Sequence, residues 1–283
     1  MKTLKIAIQK SGRLNEKSVE LLKNSGFSFD NYKSSLISPV SNFPLEILFL
    51  RDDDIPEYVR DGIADLGIAG ENVIKESGVE VNHLVPLGFG KCTMKIAVPV
   101  ITDIVSIADL HGKSIATSYP LILEDFLLKH SIKADIRTIS GSVEISTNLG
   151  LSHAICDIVS TGGTLKSNGL MPFCNVMDSE AMLIGRPGIQ EHPIVQEVMQ
   201  RIRAVLRAKD NKYVVLNIEH KNLDSITSLL HGVRSPTVVP LAEKGWVAVH
   251  TVIPETDFWE KINQLKSSGA QGIVVLAIEK III

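Results

Sequence analysis

The chain has 283 residues, 45% of them hydrophobic and 22% charged, with a formal net charge of -3. That length exceeds a single domain of about 150 residues, so two domains are expected, with room for a small third, and the composition excludes a disordered, collagenous or coiled-coil chain. The slightly acidic balance excludes a broad polybasic face, so nucleic acid is not an expected partner and any anionic ligand must be held locally. No apolar run approaches the roughly 18 residues that span a bilayer, and the opening MKTLKIAIQKSGR reaches charge and glycine too early for a secretory signal. Neither a membrane nor export is expected, which points to the cytoplasm. Cys92, Cys156 and Cys174 stand apart without CxxC spacing and read as reduced thiols; the eight histidines form no HxxxH or HExxH motif, so a structural metal site is not expected.

From Leu4 onward, short apolar runs alternate with small polar turns and amphipathic stretches, the rhythm of βα units around a largely parallel sheet. Residues 4–8 are the first strand and 9–13 its turn; Leu14, Val19, Leu21 and Leu22 then give a helix face that stops near Gly26. Residues 45–50 form the next strand, followed by Arg51-Asp52-Asp53-Asp54, with Asp54 as the expected N-cap of a helix whose first turn holds Pro56. Residues 66–69 are a third strand, leading through Gly70-Glu71-Asn72 into a short helix. After residues 95–99 three more strand ends follow, at 117–120, 140–142 and 160–164, each expected to precede a helix.

Ligands of open α/β sheets bind beyond the carboxyl ends of the strands. Six such loops in two groups therefore predict a two-lobed, periplasmic-binding-protein-like region with a cleft, residues 1–97 and 180–208 in one lobe and 98–179 in the other. After the amphipathic stretch 194–208, the polar run 209–212 marks a boundary. Strands at 213–218, 234–239, 246–253 and 272–278 with helices at 223–230 and 255–268 spell βαββαβ, a ferredoxin-like (ACT-like) domain over 209–283. The closing Ile281-Ile282-Ile283 is too short for an anchor and is expected to cap a buried or intersubunit surface.

The most specific motif is Asp157-Ile158-Val159-Ser160-Thr161-Gly162-Gly163-Thr164-Leu165. A carboxylate near the end of an apolar strand precedes a hydroxyl- and glycine-rich loop that opens a short helix. Such a loop offers backbone N–H groups, hydroxyls and the positive end of a helix to a phosphate, while Asp157 suits ribose hydroxyls. The GxxxxGK[ST] spacing is absent, so this is no Walker loop, and an ordinary βα turn remains the alternative on the residues alone. Lys10, Arg13 and Arg51 lie on strand-end loops, where they are either cations for phosphates or solvated charges. Asp52 and Asp53 are solvated or meet a magnesium ion. Glu71 either stabilises a helix start or contacts ribose, and Tyr119 either meets a nucleotide or packs its loop. His153 and Cys156 read as structural.

The run 144–165, EISTNLGLSHAICDIVSTGGTL, resembles the signature of the ATP phosphoribosyltransferase family, the enzymes of the first step of histidine biosynthesis, at Glu144, Gly150, Ser152, Ile155, Asp157, Ile158, Thr161, Gly162, Thr164 and Leu165. Residues 10–14, 51–56, 65–72 and 116–120 are similar to other family blocks, and the C-terminal unit resembles that of the long form, which carries a histidine-sensing domain.

The resemblance implies transfer of the 5-phosphoribosyl group from phosphoribosyl pyrophosphate to N1 of ATP, with inversion and release of pyrophosphate alongside Mg2+, in a homo-oligomer of dimers and hexamers. It implies catalytic roles for Lys10, Arg51 and Asp157, and substrate contacts for Arg13, Glu71, Tyr119, Glu144, Ser160, Thr161, Gly162, Gly163 and Thr164. It also implies feedback by histidine, with Glu219, Thr237 and Gly272 matching the sensing domain. The competing expectation is a non-catalytic two-lobed binding or regulatory protein, since a fold does not fix a function.

Overall fold

A computed structural model describes residues 3–30, 35–159, 162–230 and 235–283. In chain order its elements are β1 (Leu4–Gln9), α1 (Arg13–Asn24), β2 (Ile37–Pro39), β3 (Leu45–Leu50), α2 (Ile55–Arg60), β4 (Leu66–Gly70), α3 (Glu71–Ser77) and β5 (Asn82–Pro86). There follow β6 (Cys92–Pro99), β7 (Ser114–Thr117), α4 (Pro120–Lys129), β8 (Asp135–Thr138), β9 (Ala154–Val159), α5 (Gly163–Ser167), β10 (Leu170–Ser179), β11 (Ala181–Gly185) and α6 (Pro193–Lys209). The last are β12 (Asn211–Glu219), α7 (Leu223–Thr227), β13 (Thr237–Pro240), β14 (Trp246–Pro254), α8 (Glu255–Ser267) and β15 (Gln271–Ala277).

Three sheets result: β2-β3-β1-β4-β11-β5, then β10-β6-β9-β7-β8, then β13-β14-β12-β15. The near-continuous apolar runs of β1 and β3 arise because both faces are covered: Leu4, Ile6, Ala7 and Ile8 are buried, as are Leu45, Ile47, Leu48 and Phe49. The first two sheets are mixed rather than largely parallel. β1 runs parallel to β3 and β4, and β7 to β8 and β9. β2, β5, β6, β10 and β11 enter antiparallel. The chain crosses between the lobes twice, and β6 and β11 run antiparallel to β9 and β4 in the sheets they join, which the βα rhythm does not reveal. All of β6 belongs to the second sheet, so the crossing lies at residues 87–91 rather than after 97. The return lies at Glu180.

The chain divides into two compact units, one of residues up to Lys23 with Phe27–Gln196, the other of Asn24–Gly26 with Glu197–Ile283. The division falls inside α6 and not at the polar run 209–212, because α6 passes into β12 through Asp210 alone. In the second unit β12 is antiparallel to both β14 and β15, and β13 to β14, the split βαβ order expected from the sequence. Val214, Leu216 and Ile218 alternate inward against Val249, Ile226, Phe258 and Leu265. α7 stops at Thr227, short of the expected residue 230, and β13 begins at Thr237; Arg234, expected in that strand, lies outside the described residues. The Ile281 N–H donates to Ala204 O (2.9 Å), but Ile282 and Ile283 are 70% and 81% exposed, so the tail caps no buried surface of this chain.

Candidate active site

The carboxyl ends of β1, β3 and β4 in the first sheet, and of β7 and β9 in the second, carry the expected loops. The Lys10 N–H donates to Leu50 O (2.7 Å), tying the β1 turn to the end of β3 and so the Lys10 loop to the Arg51 loop. Arg13 opens α1, and Lys10, Arg13 and Arg51 are all exposed. Asn15, which sequence reasoning missed, fixes this turn: its Nδ2 donates to Gln9 O (2.6 Å) while the side chain is buried. Its signal is a polar residue on the same face of α1 as Ser18, Val19 and Leu22. Asp54 occupies the N-cap position of α2 but makes no side-chain cap; its φ of -80° and ψ of -23° are already helical, and Arg51 O instead accepts the Asp54 N–H (3.2 Å).

In the second lobe Asp157 sits on β9, and its Oδ1 accepts the Ile158 N–H (2.7 Å). Burial pushes the Asp157 carboxyl above the usual range, the Ile158 N–H opposes this, and the nearby Glu144 carboxylate adds to the rise. Glu144 lies on a 3-10 turn, Val143–Ile145, and not in the helix expected after residues 140–142. Tyr119, half-buried at the N-cap of α4, donates its N–H to Thr117 Oγ1 (2.9 Å). Burial, and then the charges of Asp157, Asp53, Cys92 and Asp52, push its hydroxyl up to about 12. Those charges stand on the loop after β3 in one lobe and on β9 in the other, so Tyr119 is within electrostatic range of both. Asp53 is itself raised, by partial burial and then by Asp52 and Asp54, against Arg51.

Ser160 and Thr161 lie outside the described residues. Gly162 caps α5 at φ +73°, a left-handed conformation that costs a side chain about 1–2 kcal/mol. Gly163 is the first helical residue of α5, so the conformational argument applies to Gly162 and not to Gly163. Thr164 is exposed, and its backbone O accepts from Asn168 Nδ2 (2.9 Å), closing this one-turn helix. Glu71 opens α3 and donates its N–H to Glu180 O (2.9 Å) at the return crossing. It lines a cavity of about 520 Å³ with Lys91, Val159, Asp178 and Glu180, a set of hinge residues the motif reading did not find because they come from separate strands. His153 Nδ1 bonds the Ser114 hydroxyl (2.7 Å) and Cys156 is buried, both structural positions.

In the C-terminal sheet, Glu219 ends β12 and pairs with Lys221. Thr237 is on β13 and Gly272 on β15, the two opposite edges. With β14 and β12 between them, they are about 14 Å apart at the usual strand spacing, so one chain does not bring the three expected sensing residues together. Among the described residues no group of three or more His, Cys, Asp or Glu stands close enough to hold a metal ion, and no helix is long and apolar enough to cross a membrane.

Two α/β lobes with a glycine-capped helix start, a half-buried carboxylate and exposed cations on strand-end loops define a two-lobed α/β protein with its polar groups gathered at the strand ends. The ATP phosphoribosyltransferase family matches residues 51–204, and the HisG C-terminal domain matches 208–280. The chain is 51% identical over 281 residues to an ATP phosphoribosyltransferase of Cytophaga hutchinsonii, covering 99% of this chain and 98% of that one. It is 46% identical over 282 residues to that of Bacteroides thetaiotaomicron, covering 99% and 100%. Among solved structures, the ATP phosphoribosyl transferase (HisG:HisZ) complex from Thermotoga maritima is similar at a TM-score of 0.60 and 26% identity, over 71% of this chain and 98% of that one. The chain belongs to the ATP phosphoribosyltransferase family, in its long form. It is a phosphoribosyl-transferring enzyme of the first step of histidine biosynthesis.

Proposed function

We propose that the cleft joins phosphoribosyl pyrophosphate to N1 of ATP. The observations that carry this reading are the electrostatic influence on Tyr119 of Asp157 in one lobe and of Asp52 and Asp53 in the other, and the glycine-capped start of α5 after Asp157. As the C1–O bond to pyrophosphate breaks, positive charge grows on the ribose ring, and the N1 lone pair forms the new bond from the opposite face. Such a reaction needs positioning and charge stabilisation more than a strong base. Gly162 and the N–H groups of α5 would take the 5-phosphate with Ser160, Thr161, Gly163 and Thr164 around it; Asp157 and Glu144 would hold ribose hydroxyls. Lys10, Arg13 and Arg51 would neutralise the ATP triphosphate or the leaving pyrophosphate. Glu71 would contact the second ribose from the hinge cavity, and Tyr119 the base.

The chain offers no donor cage for Mg2+ among its described residues, so the ion is assigned to the diphosphate oxygens of the substrates and to no residue. The long form and the open β15 edge of the C-terminal sheet support a homo-oligomer. They also support a histidine site shared between chains, with the β13 edge carrying Thr237 meeting the β15 edge carrying Gly272 of another copy, and Glu219 supplying the carboxylate for the ammonium group. The cytoplasm is the expected setting for this step. Mixing the full chain with ATP and phosphoribosyl pyrophosphate should give the absorbance of phosphoribosyl-ATP, dependent on both substrates and suppressed by histidine. No product with either pairing would overturn the reading.

A further inference from the structure

Helix α4 has no cap of its own. It begins at Pro120, which lacks an N–H, and its N-cap residue Tyr119 makes no side-chain bond to the helix. The next two donors both end on one side chain of the other lobe: the Leu121 N–H reaches Glu76 Oε1 and the Ile122 N–H reaches Glu76 Oε2, each at 3.0 Å. A helix usually draws these acceptors from its own N-cap residue. Here the acceptor comes from α3, and the carboxylate also meets the positive end of α4. Beside it Lys75 pairs with Asp125 of α4 at 2.6 Å. Gly78, at φ +65°, lets the end of α3 approach so closely that a Cβ there would lie 3.3 Å from Leu121 Cδ1.

We infer that Glu76 is a positioning residue of the transferase: by capping α4 from the opposite lobe, it holds Tyr119 in the cleft and couples the Tyr119 turn to the approach of the two lobes. Parting the lobes removes the carboxylate from two backbone donors at once and leaves them to water, so the first turn of α4 has its cap only when the lobes are close. Tyr119, one residue before that turn, moves with it. The inference rests on Tyr119 touching substrate, as proposed above.

The test is a double-mutant cycle on kcat/KM in the full chain, using Glu76→Gln, Tyr119→Ala and both together. Glu76→Gln should lower kcat/KM about tenfold, as a small misplacement of a substrate contact does. In the Tyr119→Ala background the same change should cost less than about twofold. Lys75→Ala, which removes the neighbouring ion pair and leaves the cap, should match the parent. Additive losses, parental kinetics for Glu76→Gln, or an equal loss in Lys75→Ala would each overturn the inference. Parental kinetics for Tyr119→Ala alone would instead defeat the reading of Tyr119, and the inference with it. If Glu76→Gln does not fold, Glu76→Asp, which keeps a carboxylate one methylene short, runs the same cycle.

Discussion

The sheet edges of the two lobes and the β15 edge of the C-terminal domain are built in opposite ways. β2 has three residues and ends on Pro39, β5 ends on Pro86, β8 carries the Asp135–Arg137 ion pair at 2.6 Å, and β10 carries Pro172 and two register shifts. Each device blocks the addition of another strand. β15, by contrast, exposes Val274, Val275 and Leu276 with neither charge nor proline in the strand, whereas β13 is short and ends on Pro240, as β2 and β5 end on proline. The first unit closes its edges and concentrates polar groups at strand ends, which suits chemistry completed inside a cleft. The second has no such loop and leaves its β15 edge open, which suits work done between chains.

The largest effect that separates the two regions is expected from Gly162→Val. A branched side chain at φ +73° strains the loop and fills the space a phosphate needs. It should lower kcat/KM for phosphoribosyl pyrophosphate by about a hundredfold or more, some 3 kcal/mol, with the sedimentation coefficient unchanged. Normal substrate affinity would reduce the loop to a turn.

Asp157→Asn should lower kcat/KM by roughly a hundredfold while raising Tm at neutral pH. The sign follows from its raised carboxyl: the folded state holds that proton more tightly than the unfolded state, so the contribution to stability is full below the unfolded value and is lost as pH rises through the folded one. At pH 7 the ionised, half-buried group is a cost that asparagine lacks, and the gap in Tm should shrink as pH falls toward about 4. A lower Tm than the parent at pH 7 would contradict the burial argument, and unchanged kinetics would remove Asp157 from the site.

Arg51→Ala should reduce kcat/KM about thirtyfold, near 2 kcal/mol, and Lys10→Ala less, because a flexible point charge recovers poorly the paired contacts of a guanidinium. A change in Tm alone would return either residue to the solvated surface.

The smallest effect on chemistry belongs to the open edge. Val275→Lys should shift the assembly to a smaller species in sedimentation and weaken inhibition by histidine, with kcat/KM per chain held within about twofold. An unchanged assembly would show that β15 is not an interface.

β1, β3, β4, the strand ends at 117 and 159, the glycine-rich loop after Asp157 and the βαββαβ order were legible because apolar periodicity and turn residues are local signals, whereas β2, β5, β10 and β11 were not foreseen. β1, β3, β12 and β14 fall where their periodicity places them. The signature 144–165 also named the chemistry, since consecutive residues carry it.

What the local pattern lacks is direction and partnership. A strand reads the same whether its neighbour is parallel or antiparallel, so the return of β6 and β11 against the grain of their sheets, and with it the hinge cavity of Glu71, Lys91 and Glu180, exists only in the folded chain. The start of α4 after Tyr119 was likewise settled by a long-range contact, the two bonds from its first turn to Glu76. Length, composition and motif determined which groups are present. Tertiary structure decided that the cap of α4 comes from Glu76, because it brings together residues more than 40 positions apart, beyond the reach of any local preference.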